Sequence, residues 1–400
     1  MTKYGGNTGG NTGGNTGGNT GGNTGGNTGG NTGALNAFSR DHADSPASPL
    51  LSNALITARD GVTGYWDGQA SLPYWHGMPE ASGDDSGSNV VRKPTEDLER
   101  LKLPVDNAYL DHVRRPYQAK ILLSLLMQYI QFKPKEEDAA NNLTDAGAAI
   151  EVDGTELTAL VRPDQAFFAA QLTWLRAYAD LRDDRLSEIH MQLDDMLSFF
   201  GAQTYLDNGR RKNSLMLLDI VRDFAIHIET PLKFYCRAPR PIDFAEQVQP
   251  MIQTPDHSSF PSGHSLEAFA IATVLYRLQT GKAPEKGLGD QSTAAALPFR
   301  LAHRIATNRT VAGVHFPVDS LAGAFVGCQV GEILYAIASG GELKPKVVNL
   351  GEPKDDFVLK KMNSQSKGRK FSVTQNSVAK ELWNRAASEW PGEPAIIRGG

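Results

Sequence analysis

Three short stretches of the chain carry residues that suit one chemistry. Lys233 stands seven residues before Arg240, within KFYCRAPRP. Pro261–Ser262–Gly263–His264 follows about twenty residues later. Arg309 precedes His315 by six residues, with Asp319 four further on, within NRTVAGVHFPVD. Together these supply three permanent cations, a hydroxyl, a glycine amide and two histidines. Guanidinium groups bind tetrahedral oxyanions through parallel, charge-assisted hydrogen bonds. Cations gathered round such an anion also stabilise the charge on the equatorial oxygens of a five-coordinate state. The set therefore suits phosphate or vanadate.

Each segment also stands where a helix is expected to begin or end. A helix starting near Pro317 would place His315 and Asp319 close together, so that the carboxylate fixes the imidazole tautomer and raises the basicity of the other nitrogen. A histidine held this way is a nucleophile toward phosphorus or a ligand for vanadium. Ser262 can donate a hydroxyl, and Gly263 permits close backbone approach to an anion. The free amides of the following helix point to the same place. His264 would sit at the rim as an acid or base with a pKa near working pH. Arg237 does not match the spacing. His42, His76, His112, His190, His227 and His303 match nothing and read as surface or packed residues.

The elements that must hold these segments read as helices. Apolar residues recur at helical spacing in YQAKILLSLLMQYIQF and from 167 to 200, the latter as one long helix or two with a kink near Asp183–Asp184. A Gly/Asp/Asn-rich break separates them at 135–156, and further helices are expected at 213–236, 264–280, 292–308 and 317–338. Strand-like alternation is nearly absent before residue 345. The expected class is all-α, a helical bundle with the oxyanion site in a four-helix core. Three regions are expected. Residues 1–60 read as a disordered tail and arm, with seven Gly-Gly-Asn-Thr copies at 5–32. Residues 61–343 read as the enzyme domain, with motif core 213–338 and an irregular lobe in which Tyr65, Trp66, Tyr74 and Trp75 anchor the arm. Residues 344–400 read as a C-terminal extension packed on that domain, with a short hairpin and one amphipathic helix.

Bulk composition excludes more than it assigns. The net charge of -5 over 400 residues gives no reason to expect nucleic acid. Cys236 and Cys328, the two cysteines, read as reduced thiols rather than a disulfide framework or zinc ligands. No apolar leader precedes the repeats, and no run reaches the roughly 18 apolar residues that span a bilayer. The expectation is a cytoplasmic, soluble protein with no membrane partner.

The three segments, in this order, resemble the signature of the type 2 phosphatidic acid phosphatase and vanadium-dependent haloperoxidase superfamily over about residues 213–338. The resemblance implies that Lys233, Arg240, Ser262, Gly263 and Arg309 bind equatorial oxygens. It implies His315 as axial ligand of a vanadate cofactor or as phosphorylated nucleophile, His264 as acid–base group, and Asp319 as the group orienting His315. Within the superfamily, TPDHSSFPSGHS resembles haloperoxidases, with His257 matching a second active-site histidine of algal bromoperoxidases. Two positions depart from that branch: Thr230 replaces a tryptophan, and Asn308 replaces a serine. The expected activity is oxidation of bromide or iodide by hydrogen peroxide at a histidine-bound vanadate, with Lys233 polarising the peroxide and an organic acceptor taking the halogen. The alternative is a soluble acid phosphatase acting through phosphohistidine, and a silent scaffold is the third reading. A homo-oligomer is also expected from the family.

Overall fold

The computed structural model describes residues 50, 53–58, 106–135, 146–290, 292–362, 365–366 and 368–390. The Gly-Gly-Asn-Thr repeats, most of the arm and the aromatic residues 65–75 lie outside these residues. Among the described residues the fold is mostly helical, 63% helix and 9% strand. Its centre is α8 (Pro317–Ser339), apolar on every face and buried along nearly its whole length. Around it stand α5 (Lys212–Cys236), α6 (Gly263–Thr280) and α7 (Leu297–Val311).

α6 and α8 approach closely because α8 carries Gly323, Gly327 and Gly331 at four-residue spacing on one face. A Cβ at Gly323 would lie 2.3 Å from the Ser262 carbonyl oxygen, and one at Gly327 would lie 2.3 Å from that of Leu266. At Gly331 it would lie 2.6 Å from Thr273. This seam brings the start of α6, with Ser262 and Gly263, against the start of α8, with Asp319. The Ser262 amide donates to the Asp319 carbonyl at 2.9 Å, and the Ser265 hydroxyl donates to the Ser320 carbonyl at 2.6 Å.

Before this core the chain forms α1 (Arg115–Met127), β1 (Ile130–Lys135), β2 (Gly147–Val152), β3 (Thr155–Val161), α2 (Gln165–Ala179), α3 (Arg182–Asp194) and α4 (Leu197–Thr204). Four readings are corrected here. The helix expected through Phe132 stops at Met127, and β1–β2–β3 form an antiparallel sheet across the expected break. β2, GAAIEV, is buried on both faces, so it reads as a continuous small-apolar run without alternation. The 167–200 stretch is three helices, interrupted at Asp180–Leu181 and Asp195–Met196 rather than at Asp183–Asp184. The helix expected from 292 begins at Leu297, with Pro298 in its first turn.

A cluster of rings ties α2 to the motif loops. Phe168 lies 5.0 Å from Phe316 and 6.4 Å from Phe260 between centroids, and Phe244 lies 5.6 Å from Phe316. After α8 the chain makes β4 (Glu342–Leu343), β5 (Lys346–Val347), β6 (Gln365–Ser366) and β7 (Phe371–Ser372), paired β4 with β7 and β5 with β6. α9 (Ser377–Ala387) packs on α8 and α5. Beyond it, Glu389 accepts from the Asn213 and Ser214 amides, both at 2.8 Å, placing a carboxylate on the positive end of α5.

The glycine seam yields a direct test. Gly327→Val should overpack the α6–α8 contact and destabilise the fold by about 1–3 kcal/mol, read as a lower midpoint in urea unfolding.

Candidate active site

α5 brings Lys233 to the site in its last turn and then stops. Arg237 takes a left-handed conformation (φ 48) and its amide donates to the Lys233 carbonyl at 3.0 Å. Arg237 is exposed and remains outside the site, as its spacing implied. The released chain reaches Arg240, whose guanidinium is almost fully committed. It donates to the Val314 carbonyl at 2.8 Å, the His257 carbonyl at 3.0 Å and the Ser258 carbonyl at 3.2 Å. Arg240 Nη1 also lies 3.2 Å from His315 Nε2. Lys233 Nζ donates to the Ser258 carbonyl at 3.2 Å. Arg309 enters from the last turn of α7, and a turn through Gly313 (φ +85) carries the chain on to His315.

The arrangement fixes the state of His315. A guanidinium only donates, so Nε2, facing Arg240, must be the bare nitrogen. Nδ1 therefore carries the proton and donates to Asp319 Oδ2 at 3.2 Å, an oxygen that also accepts from the Phe316 amide at 2.9 Å. Burial, followed by repulsion from Arg240 and Lys233, holds the imidazole well below its ordinary pKa. A neutral ring with an available Nε2 lone pair is the form a nucleophile needs.

The three cations are nearly inaccessible: Lys233 is 4% exposed, Arg240 4% and Arg309 1%. Among the described residues none of them makes an ion pair. Burial lowers Lys233 to about 8 and Arg240 and Arg309 to about 10. Three donor atoms here have no acceptor in the protein: Ser262 Oγ, Arg309 Nε and Arg309 Nη1. Buried donors without acceptors are costly, about 1–3 kcal/mol each. An oxyanion would satisfy them, whether phosphate or vanadate, and the donor set fits either.

Glu229, one turn before Lys233, escaped the sequence reading. It is 9% exposed, and its Oε2 has no partner. A Cβ at Gly263 would lie 2.3 Å from that oxygen. Gly263 thus makes room for the protein's own carboxylate, a use of the glycine different from direct approach to a bound anion. Burial raises Glu229 to about 7, opposed by Lys233 and Arg240. A glutamate on an amphipathic helix gives no signal that it faces inward.

His264, expected to titrate near working pH, is corrected. Burial first, then Arg309, hold it well below the ordinary value. A bound oxyanion would cancel much of that repulsion and return its pKa upward. His257 lies on the Arg240 loop, its Nδ1 3.2 Å from Arg240 Nη2, and desolvation followed by Lys233 and Arg240 brings it down to about 4. The structure therefore brings Lys233, Arg240, Ser262, Gly263, His264, Arg309, His315 and Asp319 to one locus, with His257 beside it. Among the other histidines, His303 bonds the Phe357 carbonyl at 2.9 Å and His112 stacks on Tyr109, while His190 and His227 are exposed. His42 and His76 lie outside the described residues.

A sequence profile of the PAP2 superfamily matches residues 215–340. That match supports membership of the superfamily. Two curated relatives, both decaprenylphosphoryl-5-phosphoribose phosphatases of Mycobacterium tuberculosis (strains CDC 1551 / Oshkosh and ATCC 25618 / H37Rv), are 30% identical over 89 residues. The alignment covers 22% of this chain, which spans 42% of the length of those relatives. A solved structure, described as the first transmembrane PAP2-type phosphatidylglycerolphosphate phosphatase, from Bacillus subtilis, is 18% identical. It covers 55% of this chain and 93% of its own, with a TM-score of 0.26, which does not establish a shared fold.

These relatives correct the expected activity. They are phosphatases, so the haloperoxidase reading, with its peroxidase chemistry and halide, gives way. The structure supplies a physical reason at Thr230. It is exposed and turns its hydroxyl back to the Ile226 carbonyl at 2.8 Å, so no aromatic ring from this position walls the pocket. The cytoplasmic expectation is also corrected. α8 is long and apolar enough to cross a membrane by length and composition, although 89% of that window is buried inside the fold.

Glu229 makes anion affinity depend on pH with a definite sign. Its carboxyl is neutral below about 7 and charged above, so affinity for inorganic phosphate should fall as pH rises through that point. Glu229→Gln should tighten phosphate inhibition about tenfold at pH 8 and leave it little changed at pH 6, measured as competitive inhibition constants at both pH values.

Proposed function

We propose that this chain is a phosphomonoesterase working through a phosphohistidine on His315. The observation that carries the reading is the buried set of donors without acceptors, Ser262 Oγ with Arg309 Nε and Nη1, in the same locus as a neutral histidine held by Asp319. The phosphatase relatives, which align over 22% of the chain, support the same class. The ester's alcohol is left open by the site, since the residues above address only the phosphoryl group.

In this reading Lys233, Arg240 and Arg309 take the non-bridging oxygens, with Ser262 and the first amides of α6 beside them. His315 Nε2 exchanges its contact with Arg240 for phosphorus. The N–P bond forms as the bond from phosphorus to the alcohol oxygen breaks, and Arg240 follows the charge onto the phosphoryl oxygens. His264, its pKa restored by the bound anion, gives its proton to the departing alcohol. It then takes a proton from the water that cleaves the N–P bond. Asp319 keeps Nδ1–H in place and stabilises the charge the ring acquires. Vanadate, as a phosphate mimic, would be held by the same donors and by His315, and would act as an inhibitor.

Three outcomes follow. The purified protein should release phosphate from p-nitrophenyl phosphate, with orthovanadate and phosphate as competitive inhibitors. His315→Ala should lower kcat by at least about a thousandfold with unchanged circular dichroism, and full retained activity would exclude the mechanism. His264→Ala should slow alkyl phosphates much more than p-nitrophenyl phosphate, because the latter's leaving group needs little protonation; equal losses on both would remove His264 as the acid.

A further inference from the structure

The matched segment ends short of one group that the site depends on. α3 lies outside residues 215–340, and its C-terminal turn meets the pocket from the far side of α7. Gln192 stands there, 2% exposed. Arg309 Nη2 lies 3.1 Å from its side-chain oxygen, and Asn308 Nδ2 also lies 3.1 Å from the same atom. Because a guanidinium only donates, the atom facing it must be Oε1, which fixes the orientation of the amide. The carbonyl of Ile189, one turn earlier, accepts from the same Nη2 at 3.2 Å. The main chain of Gln192 also acts on the His264 ring, favouring its protonated form. One residue thus holds Arg309 by its side chain and borders His264.

We infer that Gln192 is a positioning residue, which aims Arg309 at the oxyanion without pairing the guanidinium with a carboxylate. The inference rests on the phosphomonoesterase reading for its kinetic consequences, and on geometry alone for its effect on anion binding.

Three features support it. First, Arg309 spends Nη2 on α3 and keeps Nε and Nη1 without acceptors, so the bonds to α3 orient the guanidinium and reserve its other two donors. Secondly, a carboxylate is available nearby but is diverted. Glu188 pairs with Arg304 and accepts from Asn308 Nδ2, while Asn308 Oδ1 accepts from Arg185 Nη1 at 2.8 Å. A neutral amide stands between that ion-pair network and Arg309. Thirdly, Gln192 Nε2 has no partner of its own. Leaving a donor unsatisfied in a buried position costs stability, so packing alone does not explain an amide here. The helix end adds to the effect, since free carbonyls at a C-terminus favour nearby positive charge.

The test separates orientation from charge. Gln192→Glu is isosteric and keeps an acceptor for Arg309 and Asn308, but places a negative charge on the guanidinium. Gln192→Met keeps the volume and removes the acceptor. Orthovanadate affinity is measured by calorimetry, together with kcat and KM for p-nitrophenyl phosphate and the thermal midpoint. The expected result is at least a tenfold weaker vanadate Kd and a matching rise in KM for Gln192→Glu, with a midpoint at or above wild type. Gln192→Met should also bind vanadate at least fivefold more weakly, and it decides the matter if the Glu variant does not fold. Wild-type vanadate affinity in either folded variant would overturn the inference and leave Gln192 a packing residue. If the wild-type protein binds vanadate but hydrolyses no monoester, the phosphomonoesterase reading fails, while the calorimetric comparison still decides the role of Gln192.

Discussion

Three buried cations that make no ion pair among the described residues are the constraint from which the rest of the structure follows. Taking a charge out of water costs several kcal/mol even after relaxation, and Lys233, Arg240 and Arg309 are all at most 4% exposed. The protein answers this cost with carbonyl dipoles. Ser258, His257 and Val314 face Arg240, Ser258 faces Lys233, and Ile189 faces Arg309. Carbonyls solvate a cation without cancelling its charge, so the field remains available to an anion. Glu229 and Asp319 act on Lys233 and Arg240, and Glu267 acts on Arg309, but burial raises these carboxyls to about 7 for Glu229 and Asp319 and about 8 for Glu267.

Such a pocket needs a rigid frame, because an unsatisfied cation will move toward any acceptor within reach. The frame is the α6–α8 contact. The glycines of α8 allow the two helix starts to meet, and the Ser262–Asp319 backbone bond locks them together. At the start of α8 the Val318 amide is met by Gln171 of α2 at 2.9 Å, so the lobe before the core also fixes the turn that holds His315. Asp319 serves both ends of this arrangement. It closes the first turn of α8 through the Phe316 amide and holds His315 through Nδ1.

Much of the site was legible in the sequence because its residues cluster at helix boundaries, where spacing translates directly into proximity. His315 and Asp319 are four apart across a helix start marked by Pro317, and the structure places them 3.2 Å apart as that spacing implies. What was not legible came from other elements. Gln192 and Glu229 are ordinary polar residues on amphipathic helices, and only the packing of α3 and α6 turns them inward. The β1–β3 sheet was missed because β2 is covered on both faces, which erases the alternation that marks a strand. The choice of branch failed for a different reason. His257 sits beside the pocket as its spacing suggested, but a histidine near an anion does not specify what is done to that anion.

Buried cations and unpartnered donors should make the fold more stable with an oxyanion bound than without. This is tested most directly by thermal unfolding with and without saturating orthovanadate, in parallel with sulfate and chloride at equal ionic strength. The account predicts a rise in Tm of several degrees with vanadate, growing with the logarithm of its concentration, and little response to chloride. An unfolding midpoint that vanadate does not move beyond the chloride control would contradict it, and would mean that the buried cations are compensated within the protein itself.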